Sequence, residues 1–238
     1  MRNGDIEPQR ILVTGFGAFG SVRDNPSERL LTYVADEKIR GAILSTCLLP
    51  VSFSRAPELL QAALELGQSS GTAFDDVLML GVAGGSATWR VETLGRNHVD
   101  READVEGWLP PSTKIYPGAP DTLPSTLPTS AIFASLTTAG LPASRSDSAG
   151  GYLCNYVLYT TLYYLRSMQA RTRAGFLHIP ADEFTFDPDL VERPLFVFDQ
   201  HVAAIDAALD AVVGTGSLPN PVTGMVGPGT LPAARRMP

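Results

Sequence analysis

Cys154 follows the small-residue run Ser146-Asp147-Ser148-Ala149-Gly150-Gly151 and opens a long apolar stretch. His178 closes the next one, Gly175-Phe176-Leu177-His178-Ile179-Pro180. A thiol at a helix start meets unpaired backbone N–H groups and the positive end of the helix dipole, both of which favour a thiolate. An imidazole within reach can take the thiol proton, and the pair then attacks a carbonyl carbon. The same N–H groups can hold the oxyanion that forms, and Gly150 and Gly151 let the backbone come close to a substrate. The plainer reading is packing, because Cys154, Leu158, Leu162 and Leu165 share one helical face and a buried cysteine behaves as a small hydrophobe. A histidine acting as base gains from an acid that fixes its tautomer. Glu92, Asp100, Glu102 and Asp104 are candidates, and spacing alone does not choose among them.

The elements that must position these groups alternate between strands and helices. Apolar runs at Arg10 to Thr14, Ala42 to Val51, Asp76 to Leu80 and Ala174 to Ile179 predict strands. The third run is continuously apolar, as a parallel strand buried on both faces requires. Helices are predicted from Pro26, with Asn25 as cap, and over Ala56 to Leu66, Ser130 to Thr138 and Tyr152 to Ser167. A last helix falls within Pro194 to Val213, with Val202, Ile205, Leu209 and Val212 on one face. This order predicts an α/β fold: a single domain over residues 1–213 with a twisted, mostly parallel central sheet flanked by helices on both faces. His178 then lies at the carboxyl end of a strand, where open α/β sheets keep their ligands, and the loops Gly15 to Gly20 and Gly81 to Gly85 open on the same edge. The proline-rich stretch 108–128 reads as a surface excursion, either a lid or a plain loop. Residues 214–238, rich in Pro and Gly, read as a disordered tail.

Gly15-Phe16-Gly17-Ala18-Phe19-Gly20 fits the dinucleotide fingerprint G-x-G-x-x-G, with Asp36 and Glu37 at about the right distance for a ribose. That fold needs its glycine loop to open directly into a helix. Here Ser21 to Asn25 intervene before Pro26, and two phenylalanines crowd the loop. The glycines read instead as a turn presenting Phe16 and Phe19 to a small ligand.

Composition narrows the partners. With 238 residues, 44% hydrophobic, the chain can bury a full core, and its net charge of −7 argues against nucleic acid and anionic membrane surfaces. No run is long enough to span a membrane, and Met1 to Gln9 lacks a signal-peptide core. Two cysteines without such a leader read as a reduced, cytoplasmic protein, with Cys47 a buried thiol in the second strand.

Four blocks, in order, resemble the pyroglutamyl peptidase I family of cysteine peptidases. Ile11 to Phe16 with Phe19-Gly20 and Asn25-Pro26-Ser27 is similar to its N-terminal block, and Gly81 to Gly85 leading to Glu92 and Asn97 matches the spacing of its glutamate signature. Ser146 to Tyr159 resembles its cysteine signature, and Gly175 to Pro180 its histidine block. The resemblance implies Cys154 as nucleophile, His178 as general base and then acid, and Glu92 as the group orienting His178. It implies a substrate pocket from Phe16, Phe19, Val82, Tyr152 and Leu153, with the two phenylalanines around a pyrrolidone ring and backbone near Leu153 reading its lactam. It further implies cleavage of N-terminal pyroglutamate from small peptides through a thioester, no metal or cofactor, and a homo-oligomer, a tetramer in the family. A divergent cysteine amidase and a non-catalytic small-molecule binder are the alternatives. The chain departs from the family around the acid. Ser86 replaces an arginine, Trp89 and Arg90 replace an aliphatic and a Ser or Thr, and Thr93 and Gly95 replace a basic residue and an alanine. Asp100 to Asp104 replaces the block after Asn97, where Arg101 offers a displaced guanidinium.

Overall fold

The computed structural model describes residues 8–20, 22, 24–36, 41–185 and 196–216. Glu37 and the tail from residue 217 onward, with the expectations attached to them, lie outside the described residues. Four strands, β1 (Gln9–Phe16), β2 (Ala42–Leu49), β3 (Asp76–Val82) and β8 (Arg173–Ile179), lie side by side and parallel in the order β2-β1-β3-β8. Two short strands extend that sheet, β4 (Trp89–Glu92) and β7 (Ala143–Ser146). They are parallel to each other, but β4 runs antiparallel to β8, with Arg90 opposite His178 and Glu92 opposite Phe176. A small two-stranded sheet, β5 (Leu94–Arg96) with β6 (Thr122–Pro124), stands beside it.

Successive side chains along a strand face opposite ways, so the apolar runs of β1 and β3 feed two cores at once. Ile11, Val13, Leu78, Leu80, Leu177 and Ile179 pack under α1 (Pro26–Asp36), α3 (Thr129–Thr138) and α5 (Phe198–Gly214). Leu12, Val77, Met79, Ala174 and Phe176 pack under α2 (Arg55–Ser69) and α4 (Leu153–Ser167). The expected α/β sheet with helices on both faces is therefore present, and the six-stranded sheet is mixed only at the β4–β8 seam. None of the described helices is long and apolar enough to cross a membrane.

Asn25 caps α1 as the sequence predicts, its Oδ1 accepting from the Ser27 N–H at 3.0 Å. The proline-rich stretch is fastened to the body rather than standing off as a lid. It supplies β6, buries Leu123 and Leu127, and passes the Pro120 carbonyl to the Tyr159 hydroxyl at 2.6 Å. Asn97 ties it further, donating to the Tyr116 carbonyl at 2.8 Å and accepting from the Tyr116 N–H at 2.9 Å. Cys47 is half-buried, not buried, because β2 forms an edge of the sheet; partial burial still pushes its thiol up.

Candidate active site

Because β1, β3 and β8 are parallel, the loops after Phe16, Val82 and Ile179 leave the sheet on one edge. Helix α4 begins there, with Cys154 its second residue. The sulfur lies against β3 at Gly81: a Cβ built on that glycine would stand 2.8 Å from Sγ and 2.8 Å from Phe176 Cζ. Gly81 pairs with His178 across the β3–β8 ladder, and the Phe176 and His178 rings, two residues apart, are 4.7 Å centre to centre. The sulfur, the imidazole and Phe176 thus share the α4 face of the sheet.

The first turn of α4 is fixed by Asn155, which is fully buried. Its amide donates to the carbonyls of Arg96 and His98 at 2.9 and 2.7 Å and accepts from the Arg96 N–H at 2.9 Å. Before the helix, Gly150 takes φ +86°, a left-handed conformation that glycine adopts without strain. The sequence reading gave Asn155 no role; a carboxamide right after the candidate nucleophile was the available signal.

Of the four candidate acids, only Glu92 meets His178. Its Oε1 lies 2.7 Å from Nδ1, with both side chains buried. Asp104 is spent on backbone, accepting from the N–H groups of Phe53, Glu106 and Trp108 at 2.9 Å each. Asp100 pairs with His98 at 2.9 Å on the surface, and Glu102 is exposed. Arg101, the displaced guanidinium of the sequence reading, is exposed as well.

The replaced residues around Glu92 separate by strand face. Trp89 turns to the α3–α5 side, where its ring meets Phe196 at 4.6 Å. Arg90 turns to the same side as Glu92, and its Nη2 and Nε donate to Glu92 Oε1 at 2.9 and 3.2 Å. Ser86 closes its own turn through the Thr88 carbonyl at 2.7 Å. Thr93 Oγ1 donates to the Ser146 carbonyl at 2.8 Å, and Gly95 lets Tyr159 approach, its Cα 3.1 Å from where a Cβ would stand.

Electrostatics make the resting pair neutral. The Cys154 thiol is pushed up to about 12, first by burial and then by the Glu92 charge; Arg90 and the residue's own N–H pull the other way. Burial and Glu92 thus oppose the thiolate that the helix start favours. Burial likewise pushes the His178 imidazole below its ordinary value, Glu92 opposes this, and Arg90 adds to it. A neutral imidazole on the same sheet face as a neutral thiol can act as a base toward it, so that attack and proton transfer go together.

The predicted ring-binding residues occupy the same edge. Phe16 is buried at the end of β1, where its N–H donates to Ser27 Oγ at 2.9 Å; Phe19 is half-buried and bridged to Val22. Gly15 is needed for packing rather than phosphate, since a Cβ there would lie 2.6 Å from the Ser27 carbonyl oxygen. Val82 ends β3, Leu153 begins α4, and Tyr152 lies edge-on to Phe53 at 5.3 Å, its hydroxyl donating to the Ala103 carbonyl at 3.1 Å. Among the described residues, no three His, Cys, Asp or Glu side chains are grouped to hold a metal ion.

Residues 9–215 match the family model described as pyroglutamyl peptidase. The pyrrolidone-carboxylate peptidase of Thermococcus onnurineus is 38% identical over 172 residues, covering 72% of this chain and 83% of that protein. That of Clavibacter michiganensis is 36% identical over 217 residues, covering 87% and 98%. The solved pyrrolidone carboxyl peptidase from Thermococcus litoralis superposes with a TM-score of 0.79 at 32% identity, covering 87% of this chain and 94% of that one.

Proposed function

Because the chain belongs to the pyroglutamyl peptidase family of cysteine peptidases, we infer that it removes N-terminal 5-oxoproline from peptides, with Cys154, His178 and Glu92 as its catalytic residues. The observation that carries this reading is the shared face: the Cys154 sulfur seated on Gly81, and His178, opposite Gly81 in the sheet, held by Glu92 at 2.7 Å.

Cys154 Sγ attacks the carbonyl joining the pyroglutamyl group to the next residue, while the second His178 nitrogen accepts the thiol proton. The oxyanion forms beside the free N–H groups at the start of α4, of which those of Leu153 and Cys154 are nearest in sequence. The C–N bond breaks as imidazolium returns its proton to the leaving amine, and a thioester remains. Water, deprotonated by His178, attacks that thioester; the sulfur leaves as thiol and free 5-oxoproline departs. Glu92 fixes the ring with Nδ1 as donor, which keeps the second nitrogen facing the thiol.

The uncharged lactam offers no ionic handle, so its recognition rests on aromatic faces and a few hydrogen bonds. Phe16 and Phe19 take the ring, Val82 and Tyr152 wall it, and backbone near Leu153 reads the lactam. The substrates are small peptides, and we assign the enzyme to the cytoplasm as a homo-oligomer, with neither nucleic acid nor membrane as partner. Hydrolysis of pyroglutamyl-aminomethylcoumarin tests the activity. The protein is expected to release the fluorophore, iodoacetamide to stop it, and Cys154→Ala to lower kcat about 10³-fold or more. Full activity in Cys154→Ala overturns the assignment.

A further inference from the structure

Arg90 stands where the family carries Ser or Thr, and nothing in the reaction above requires it. Its position is nevertheless central. Glu92 Oε1 accepts from His178 Nδ1 and from two Arg90 nitrogens at once, while Oε2 is buried without a hydrogen-bond partner among the described residues. The same Nη2 donates to the Ser148 carbonyl at 2.8 Å, in the loop that leads through Gly150 and Gly151 to Cys154. Glu92 is closed to solvent, but the Arg90 side chain is 29% exposed and lines a surface cleft with Thr93, Ser146 and Ser148.

We propose that Arg90 is a positioning residue: it clamps the catalytic acid to the nucleophile's loop and sets the charge that the imidazole and the thiol experience. The proposal rests on the catalytic assignment above. A carboxylate alone next to His178 favours imidazolium and opposes a thiolate at Cys154. A guanidinium on the same oxygen offsets both effects, leaving a pair of nearly zero net charge behind the ring. The charged and titratable groups facing this point are few. Cys154 comes from α4, His178 from β8, and Glu92 and Arg90 from β4. Arg145 of β7 carries its guanidinium to the Phe133 ring at 5.0 Å, Asp147 pairs outward with Arg96 at 3.0 Å, and Asp100 pairs with His98.

Removing the positive charge disfavours imidazole relative to imidazolium and thiolate relative to thiol, so both groups hold their protons to higher pH. The two limbs of the kcat/KM profile must then move the same way, whichever group gives which limb. The experiment compares the parent with Arg90→Ser, the residue type the family accommodates there, and with Arg90→Lys, which keeps the charge and loses the planar fork. Two readouts are taken against pH: kcat/KM on pyroglutamyl-aminomethylcoumarin, and the rate of Cys154 alkylation by iodoacetamide, which needs no substrate. Arg90→Ser is expected to shift both curves upward by roughly 0.5–1 pH unit. Arg90→Lys is expected to keep the parent's curves and lose part of kcat through the looser Ser148 loop. Curves for Arg90→Ser that superimpose on the parent's, or move to lower pH, overturn the proposal even if kcat falls. An active Cys154→Ala protein would instead overturn the catalytic assignment, so the two failures are distinguishable.

Discussion

The sulfur of Cys154 rests where a side chain on Gly81 would begin, 2.8 Å from the Cβ that any other residue would place there. Gly81 therefore belongs to the site through what it lacks. Gly81→Ala must push both the sulfur and the Phe176 ring away, and neither has a flexible end to move. Overpacking of this kind costs about 1–3 kcal/mol. Urea unfolding is expected to show that loss, and kcat to fall about 10²-fold as the sulfur leaves the face it shares with His178. A stable, fully active Gly81→Ala protein would show that the sulfur does not need that seat.

Asn155, itself fully buried, holds the first turn of α4 to the end of β5 and the residues after it through three hydrogen bonds, two with Arg96 and one with His98. Asn155→Ala leaves the Arg96 and His98 carbonyls and the Arg96 N–H without those partners. The expected destabilisation is about 1–3 kcal/mol, since these part-buried groups lose their bonds and are only partly re-solvated. The pH dependence of kcat/KM should stay where it is, because Asn155 carries no charge. A displaced profile would mean that Asn155 acts on the titrating pair itself.

His201 supplies an acid-sensitive element away from the reaction. It is fully buried beside Asp182 at 3.9 Å, and burial pushes its imidazole down to about 4. In the unfolded chain a histidine binds its proton near pH 6.5, so above that pH the residue leaves stability unchanged. Between pH 6.5 and 4 the unfolded state is protonated and the folded state is not, and roughly 3 kcal/mol of stability is lost across that window. His178, also pushed down, adds in the same direction. Urea midpoints measured from pH 8 to 4.5 should fall below pH 6.5, and His201→Phe should flatten that fall. An equally steep fall in the variant would assign the acid sensitivity to other groups.

Legibility in the sequence followed segment length and charge. Strands β1, β2, β3 and β8 and the helices carry seven or more residues each, long enough for an apolar pattern to register, and they formed close to where that pattern put them. Strands β4 to β7 have three or four residues, too few for alternation to register, and Ala143–Ser146 carries no large apolar residue. Spacing alone left Glu92 one acid among four and only the family resemblance singled it out; the antiparallel β4–β8 pairing puts it beside His178, a contact across 86 positions of chain. Arg90 was visible as a departure from the family but not as a partner of Glu92, since alternation sends Trp89 to one face and Arg90 to the other only once β4 exists. What opposes a thiolate at Cys154 was hidden for a related reason: the burial and the Glu92 charge come from other elements.

Strand β8 is the last strand in the chain and yet the fourth across the sheet, between β3 and β4. The β2-β1-β3 and β4-β7 parts of the sheet share no strand ladder with each other; residues 173–179 pair with β3 on one side and β4 on the other. That strand joins the two parts of the sheet, brings His178 to Glu92 and sets the imidazole on the sheet face where Cys154 sits. A chain stopped short of it holds a thiol without a base and an acid without a ring to orient. Hydrolytic power in this molecule is thus tied to one long-range strand pairing, and a chain that lacks it has the parts of the site without their assembly.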